Sequence, residues 1–351
     1  MDRLIRSRRP RIGDRDPRVD GRHRDGRASG WSGATFLLAL LFLIALGASG
    51  ASKPHVMFRR DDVAGTLTVL IGGREAFVFQ YGPAWDLPHY WPLRSPSGKN
   101  MLVEKTEPYP HHRSFWFADT VRPEGGERDL SFYNALYSGT RTEAGDYAAP
   151  FRERIRLVSF PKIEAKNDRA EIVAELAWES DGRPVINERR TLVVHSLGAG
   201  EYLLDLVWTL TAPAGDVAFV SDDVHYAWPF LRLDPVWNGE HGGKITSDSG
   251  AVGEKATNML PALWIDYSNT VEGVTEGVAV FQWPDGPEHR WLTREYGCFG
   301  PRRPDDQSGK PLTLKKGDSI AQRAAVLVHK GDVASGRVGE RYVKFVKGGH
   351  R

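Results

Sequence analysis

The residues best suited to chemistry form one short run, residues 108–113 (PYPHHR), followed by the aromatic residues 115–117 (FWF). Imidazole can give or take a proton near neutral pH, and neutral imidazole can bind a metal. A guanidinium can hold a carboxylate, a phosphate or a developing oxyanion. If the run is extended, His111 and Arg113 share one face and His112 lies on the other. We therefore predict a site here, although a strand end carrying solvated polar residues is the simpler interpretation.

A second candidate cluster lies in residues 221–228 (SDDVHYAW). In a strand Asp223 and His225 would share a face, so the carboxylate could tune the imidazole as an acid or base. The alternative is a loop of solvated aspartates that leads into a core strand.

A third cluster is formed by residues 289–297 (HRWLTREYG). In an extended run Arg290 and Arg294 lie on the same face, and with Tyr296 they could line an anionic or sugar-binding groove. Arginines that protect an edge strand from aggregation would give the same pattern.

Composition describes a globular protein with many aromatic residues. Of the 351 residues, 40% are hydrophobic and 26% are charged. The eleven tryptophans suit both β-sheet packing and surfaces that stack on sugars. Because Cys298 is the single cysteine, an intrachain disulfide and a Cys-rich zinc site are both excluded, whereas a His/carboxylate site is not.

The net charge of +2 conceals an uneven distribution. Residues 1–33 hold ten arginines and five aspartates, and residues 34–51 hold no charge. Removing these from the 47 basic and 45 acidic residues leaves 37 and 40, a net charge of −3 for the remainder. The body is therefore not a nucleic-acid binder by charge.

The N-terminus has the pattern of an export signal. Residues 1–33 are predicted to be a disordered basic leader, and residues 34–51 combine a short apolar core with small residues. We expect cleavage after Ala51 or Ala48 and a periplasmic or extracellular protein. The alternative is an uncleaved segment that anchors the protein to the membrane, although the run is short for a full span.

Residues 52–345 are predicted to form a single β-sandwich domain. Apolar and polar residues alternate in many segments, as in residues 172–178 (IVAELAW), and short turns rich in Gly, Asp and Pro separate them. No sustained helical period is present. Strands at a spacing of roughly ten residues predict an all-β fold, a large antiparallel β-sandwich with few helices.

No recognised short catalytic signature is present, but the order of five segments resembles the PmoA-like family, a domain of unknown function in exported bacterial proteins. These segments are PLRSPSG (92–98), PHHRSFWFA (110–118), WIDY (264–267), HRWLTREYG (289–297) and LKKGDSIAQRAAVLVHKGD (314–332). The resemblance implies carbohydrate metabolism and a supersandwich of the galactose-mutarotase-like type. In that fold, histidines and a carboxylate on a concave sheet face do acid–base work on a sugar.

The resemblance implies His111 or His112 together with His225 as the catalytic imidazoles. The carboxylate partner stays open among Asp222, Asp223 and Glu240.

Three functions fit these observations. The first is an enzyme that acts on a sugar or keto-sugar by general acid–base catalysis, without a redox cofactor. The second is a non-catalytic carbohydrate-binding protein. The third is an enzyme that uses a divalent metal held by histidines and a carboxylate. For the first, the predicted catalytic residues are His111, His112, His225 and Asp223, and the predicted substrate-binding residues are Arg113, Trp116, Arg290, Arg294 and Tyr296.

Overall fold

A computed structural model of the chain describes residues 54–220, 226–286, 288–303 and 312–348. The predicted leader (1–33) and signal peptide (34–51) therefore lie outside the described residues, as do Asp222, Asp223 and His225. The described residues belong to one compact unit. The predicted domain boundaries themselves remain predictions.

Antiparallel hairpins build the first sheet. The turn Gly72-Gly73, where both residues have positive φ, joins its second and third strands, because glycine adopts such backbone angles without strain. In spatial order the eight strands are β1 (Val56–Asp61), β2 (Thr66–Ile71), β3 (Arg74–Gln80), β4 (His89–Leu93), β5 (Phe115–Trp116), β15 (Phe230–Arg232), β20 (Cys298–Pro301) and β19 (Trp291–Thr293).

The second sheet contains the longest strands, and all of its pairs are antiparallel. In spatial order its eight strands are β10 (Glu153–Lys166), β11 (Arg169–Ser180), β12 (Arg183–Gly198), β13 (Glu201–Thr211), β22 (Ser319–Lys330), β18 (Val274–Gln282), β17 (Trp264–Val271) and β16 (Lys244–Ser247).

The remaining elements are short. A four-stranded sheet contains β21 (Leu312–Leu314), β14 (Val217–Phe219), β6 (Thr120–Pro123) and β7 (Leu130–Ser131), and β8 (Thr140–Arg141) pairs with β9 (Tyr147–Ala148). Within the described ranges the α-helices are α1 (Glu254–Thr257) and α2 (Val338–Val346), and 3-10 helices span Ala135–Ser138, Pro235–Trp237 and Gly239–His241. No helix in the described ranges is long and apolar enough to cross a membrane.

The main core lies between the two large sheets. Phe117, which follows β5, contacts Trp178 of β11 at 5.5 Å and Trp208 of β13 at 5.2 Å between ring centroids. Phe299 of β20 packs on Tyr267 of β17 at 4.2 Å. These contacts fix one face of the first sheet against the second sheet. Because side chains alternate along a strand, Trp116 and Cys298, which precede Phe117 and Phe299, face the other way.

The opposite face of the second sheet is partly covered by α2. Tyr342 and Phe345 of α2 pack with Phe281 of β18 and Leu327 of β22 in a second, smaller apolar cluster. The prediction of an all-β antiparallel sandwich with few helices is confirmed by this architecture.

Candidate active site

The histidine run forms a tight turn before β5. The amide of Tyr109 donates to the carbonyl of Thr106 at 3.0 Å, and the amide of His112 donates to the carbonyl of Tyr109 at 2.9 Å. The expectation of an extended run was therefore wrong at this position, since these local hydrogen bonds curl the chain. As a result His111 and His112 line the same cavity, and Arg113 does not.

His112 is held firmly between aromatic rings. Only 5% of the residue is exposed, its ring stacks on Tyr109 at 4.9 Å, and its Nε2 shares a 2.7 Å hydrogen bond with the hydroxyl of Tyr133. Its Nδ1 is buried and has no hydrogen-bond partner in the described ranges. Burial lowers the pKa of His112 to about 2, and the charge of Arg232 and, when it is protonated, that of His111 act in the same direction.

His111 is less buried and also neutral at pH 7. Its Nδ1 lies 3.0 Å from the hydroxyl of Tyr137, and within the described part of the chain its Nε2 has no hydrogen-bond partner. Burial lowers the pKa of His111 to about 4; the carboxylate of Asp86 opposes this shift and the charge of Arg113 adds to it. His111 is therefore suited to accept a proton.

Arg113 belongs to a buried ionic cluster behind the turn. Its Nη2 donates to Asp86 and its Nη1 donates to Glu104 at 3.4 Å, while Glu104 also lies 2.7 Å from the Nε2 of His89. The guanidinium lies over the Trp85 ring at 5.2 Å. Because the guanidinium is buried and its Nη1 and Nη2 bind these carboxylates, Arg113 anchors the turn. It does not line the cavity, and its Nε has no hydrogen-bond partner within the described ranges.

Trp116 supports the site from below. It points away from the second sheet, stacks on Phe230 at 4.7 Å and lies 5.5 Å from the ring of His112. The residue is 1% exposed and does not line the cavity. Its place is therefore beneath the histidine rather than against a ligand.

The third cluster of the sequence contributes the opposite wall. Leu292 and Arg294 line the cavity, as does Tyr296, whereas Trp291 and Thr293 are buried on the other side. The alternation therefore holds over residues 291–294. Arg290, which was predicted to line the same groove, is exposed and lies outside the cavity lining.

These segments enclose a cavity of about 350 Å³. Its lining residues are Tyr109, His111, His112, Tyr133, Asn134, Tyr226, Leu292, Arg294, Tyr296 and Cys298. With both imidazoles neutral, Arg294 is the one charged group among the described lining residues. Burial raises the pKa of Tyr133 well above its usual value and also raises that of Tyr296, so both hydroxyls keep their protons at neutral pH.

Sequence reasoning did not identify several of these residues. Tyr133 and Asn134 follow β7, and no pattern of spacing links them to the histidines. Tyr226 was noted only as a neighbour of His225. Cys298, the single cysteine, is buried, and burial raises its thiol pKa to about 12.

The predicted metal site is only partly covered by the structure. His225, Asp222 and Asp223 lie outside the described residues. Elsewhere in the described chain no three His, Cys, Asp or Glu side chains lie close enough to hold a metal ion. Glu240, the third candidate carboxylate, lies in the 3-10 helix Gly239–His241 and does not line the cavity.

A second cavity of about 370 Å³ lies among residues 123–124, 184–185 and 214–217. Its lining has no histidine, tyrosine or arginine. The cavity around His111 and His112 is therefore the better candidate for a site that performs chemistry.

Comparison with known proteins places the chain in a family. Residues 66–342 match the family described as a family of unknown function (DUF6807), and the chain belongs to it. This finding corrects the resemblance to the PmoA-like family, because the matching family is a different one and nothing else points to a PmoA-like protein. No curated protein matches the sequence.

Solved structures that resemble the chain share little of its sequence. The GH36 alpha-galactosidase AgaB from Geobacillus stearothermophilus is 8% identical, with a TM-score of 0.42, over 80% of this chain and 42% of that one. A heparan sulfate lyase HepC mutant from Pedobacter heparinus is 10% identical, with a TM-score of 0.36, over 77% of this chain and 36% of that one. A galactose mutarotase related enzyme from Lactobacillus acidophilus is 8% identical, with a TM-score of 0.34, over 79% of this chain and 98% of that one.

The chain spans about two fifths of the length of the first structures that it matches. Likeness at these TM-scores does not assign an activity.

Proposed function

We propose that this member of the family is an enzyme that acts on a sugar or keto-sugar by general acid–base catalysis. In this proposal His111 accepts a proton from the substrate and the hydroxyl of Tyr133 donates one to a substrate oxygen. The observation that carries the proposal is the cavity itself, in which two neutral imidazoles and four tyrosines surround a volume of about 350 Å³.

The lining supports a sugar ligand because it is both aromatic and polar. Sugar rings present apolar C–H faces and a rim of hydroxyl groups, which match tyrosine ring faces and their polar ends. Tyr109 and Tyr296 lie 5.7 Å apart between ring centroids, and Asn134 adds an amide. The cavity volume lies at the lower end of the range of about 300–1,000 Å³ for small-molecule sites.

The protonation states support the division of roles. A general base must be unprotonated and a general acid protonated when the substrate binds. The lowered pKa of His111, about 4, leaves its imidazole neutral at pH 7, and the raised pKa of Tyr133 keeps its hydroxyl protonated. The proton donor is thus a tyrosine rather than a second histidine.

His112 has a positioning role in this proposal. With its Nε2–H as the donor, the 2.7 Å hydrogen bond to the oxygen of Tyr133 positions that hydroxyl and leaves its proton available for the substrate, and stacking on Tyr109 fixes the imidazole in turn. His111 and Tyr133 lie 5.2 Å apart between ring centroids, so the proposed base and acid border the same small space.

Proton NMR in D2O with a panel of glucose, galactose, their uronates, their 3-keto derivatives and their methyl glycosides tests the proposal. Acid–base catalysis is expected to appear as faster anomeric exchange, as loss of a C–H signal through deuterium exchange, or as a new product. His111→Gln and Tyr133→Phe are each expected to lower that rate by roughly 100-fold or more. His55→Gln, at an exposed histidine outside the cavity, is the matched control and keeps the rate.

A rate that survives both cavity substitutions contradicts the assigned roles. The second candidate is a carbohydrate-binding protein, favoured by the lack of a carboxylate among the described lining residues. Sugar binding without any of the three spectral changes would support that candidate. Elemental analysis of the active protein separates both from a metal-dependent enzyme.

A further inference from the structure

Arg294 has unused hydrogen-bonding capacity at the cavity wall. Its side chain is 19% exposed, and its Nη1 donates to the Oε1 of Glu254 at 3.3 Å and to the carbonyl of Thr293 at 3.5 Å. Its Nε and Nη2 have no hydrogen-bond partner within the described ranges. These two nitrogens form one edge of the planar guanidinium, and that edge matches the two oxygens of a carboxylate.

A second guanidinium lies behind the same wall. Arg232 is 6% exposed, sits over the Tyr296 ring at 4.4 Å and donates through Nη1 to the Tyr296 carbonyl. Its Nε is buried without a hydrogen-bond partner in the part of the chain that the structure describes. Glu254 offsets part of the charge of Arg294 from outside the cavity, whereas Arg232 has no carboxylate partner among the described residues. Since no carboxylate lies in the described lining either, the cavity favours an anion.

We propose that the ligand of this cavity is an acidic sugar whose carboxylate binds the free edge of Arg294. This inference rests on the proposed function, because it names the class of sugar that the same site accepts. The tyrosines contact the sugar ring, and Arg294 selects against the parent sugar that carries a neutral hydroxymethyl group in place of the carboxylate. Glu254 holds Arg294 on its opposite side and so keeps the guanidinium at the wall.

A bound carboxylate also changes the pKa of His111, the proposed base. A negative charge brought into a small, poorly solvated cavity favours the protonated form of a nearby imidazole. A bound carboxylate therefore raises the pKa of His111 from about 4 towards neutral pH, where a general base is most effective.

Calorimetric titration of matched pairs tests this inference. The probes are glucuronate against glucose and galacturonate against galactose, with acetate and glucose 6-phosphate at the same ionic strength. We expect one uronate to bind at least about tenfold more tightly than its parent sugar, as for a hydrogen bond to a charged group. Acetate, which lacks the ring, is expected not to bind measurably.

Substitutions locate the effect at Arg294. Arg294→Gln is expected to reduce uronate affinity to that of the parent sugar without changing the affinity for the parent, and Arg294→Lys to retain part of the preference. Arg59→Gln, at an exposed arginine of β1, is the matched control and keeps the full preference. If Arg294→Gln does not fold, the comparison of uronate and parent sugar in the unaltered protein still tests the preference for an acidic sugar.

The outcomes separate this inference from the proposed function. Equal binding of uronate and parent sugar overturns the inference and leaves the proposed function standing. Tighter binding of glucose 6-phosphate than of either uronate overturns the assignment of a carboxylate, and acetate binding as tightly as a uronate overturns the assignment of a sugar. Binding of none of these probes overturns the inference, whereas the proposed function is overturned only if the wider panel of keto-sugars and glycosides also shows no reaction and no binding.

Discussion

At the scale of single residues, two adjacent histidines occupy very different surroundings. His112 is enclosed by Tyr109, Trp116 and Tyr133, whereas His111 is only half-buried and bonds to Tyr137. Both have lowered pKa values because burial disfavours the charged imidazole, and the effect is larger for the more enclosed ring. The enclosed histidine therefore suits a fixed positioning role, and the half-buried one suits proton transfer.

Burial of a neutral His112 predicts that the protein loses stability on acidification. The folded state holds the pKa of His112 at about 2, whereas the unfolded chain takes up the proton near pH 6.5. Stability therefore falls as the pH drops below about 6.5, because protons bind preferentially to the unfolded chain. Between pH 7 and pH 5 this single group is expected to remove about 2 kcal/mol from the free energy of unfolding.

Urea unfolding at several pH values measures this loss. His112→Gln, which cannot titrate, is less stable at pH 7 because it disturbs the contact with Tyr133, but its stability is expected to depend less on pH than that of the unaltered protein. The difference between the two proteins in how the free energy of unfolding changes with pH isolates His112, because the other titrating groups contribute equally to both. Equal slopes for the two proteins would contradict the assignment of a buried, neutral His112.

At the scale of elements, the turn that carries the histidines depends on the buried cluster behind it. Arg113→Met leaves the carboxylates of Asp86 and Glu104 buried without their guanidinium partner. Breaking a buried ion pair in this way costs about 3–5 kcal/mol. We expect that loss in the free energy of unfolding measured by urea denaturation, together with weaker sugar binding because the turn is no longer anchored.

Arg94→Met provides the matched control. Arg94 pairs with Glu75 through Nε and Nη2 at 2.9 and 2.8 Å, but both side chains are about one third exposed. Exposed pairs contribute about 0–1 kcal/mol, so this variant is expected to remain close to the unaltered protein. Equal losses for the two variants would show that the cluster around Arg113 does not anchor the turn.

Strands were the elements that the sequence could predict. The alternation noted in residues 172–178 predicted a strand there, and these residues lie within β11 (Arg169–Ser180). The same reasoning failed at residues 111–113, where hydrogen bonds within the turn replace an extended conformation. Alternation also cannot show that Arg113 pairs with Asp86, 27 positions earlier in the chain.

At the scale of the whole molecule, the cavity exists because distant segments meet on one face of the first sheet. Trp116 and Cys298 face the site, while Phe117 and Phe299 face the second sheet. The sequence indicated two of the contributing segments, because histidines and arginines stand out in a β-rich chain. It could not indicate Tyr133, since this residue lies in a turn after β7 and meets the histidines only through contacts between segments distant in the chain.

The central claim is that one cavity brings a neutral His111 into contact with a sugar. Nitrogen NMR of protein labelled with 15N-histidine, titrated with glucose and glucuronate at pH 7, tests it most directly. His111→Gln assigns the resonance of His111. We predict a neutral imidazole before addition and a shift of the His111 nitrogens on addition of at least one of the two sugars. A charged His111 in the free protein, or sugar-induced shifts confined to histidines outside the cavity, would contradict the account.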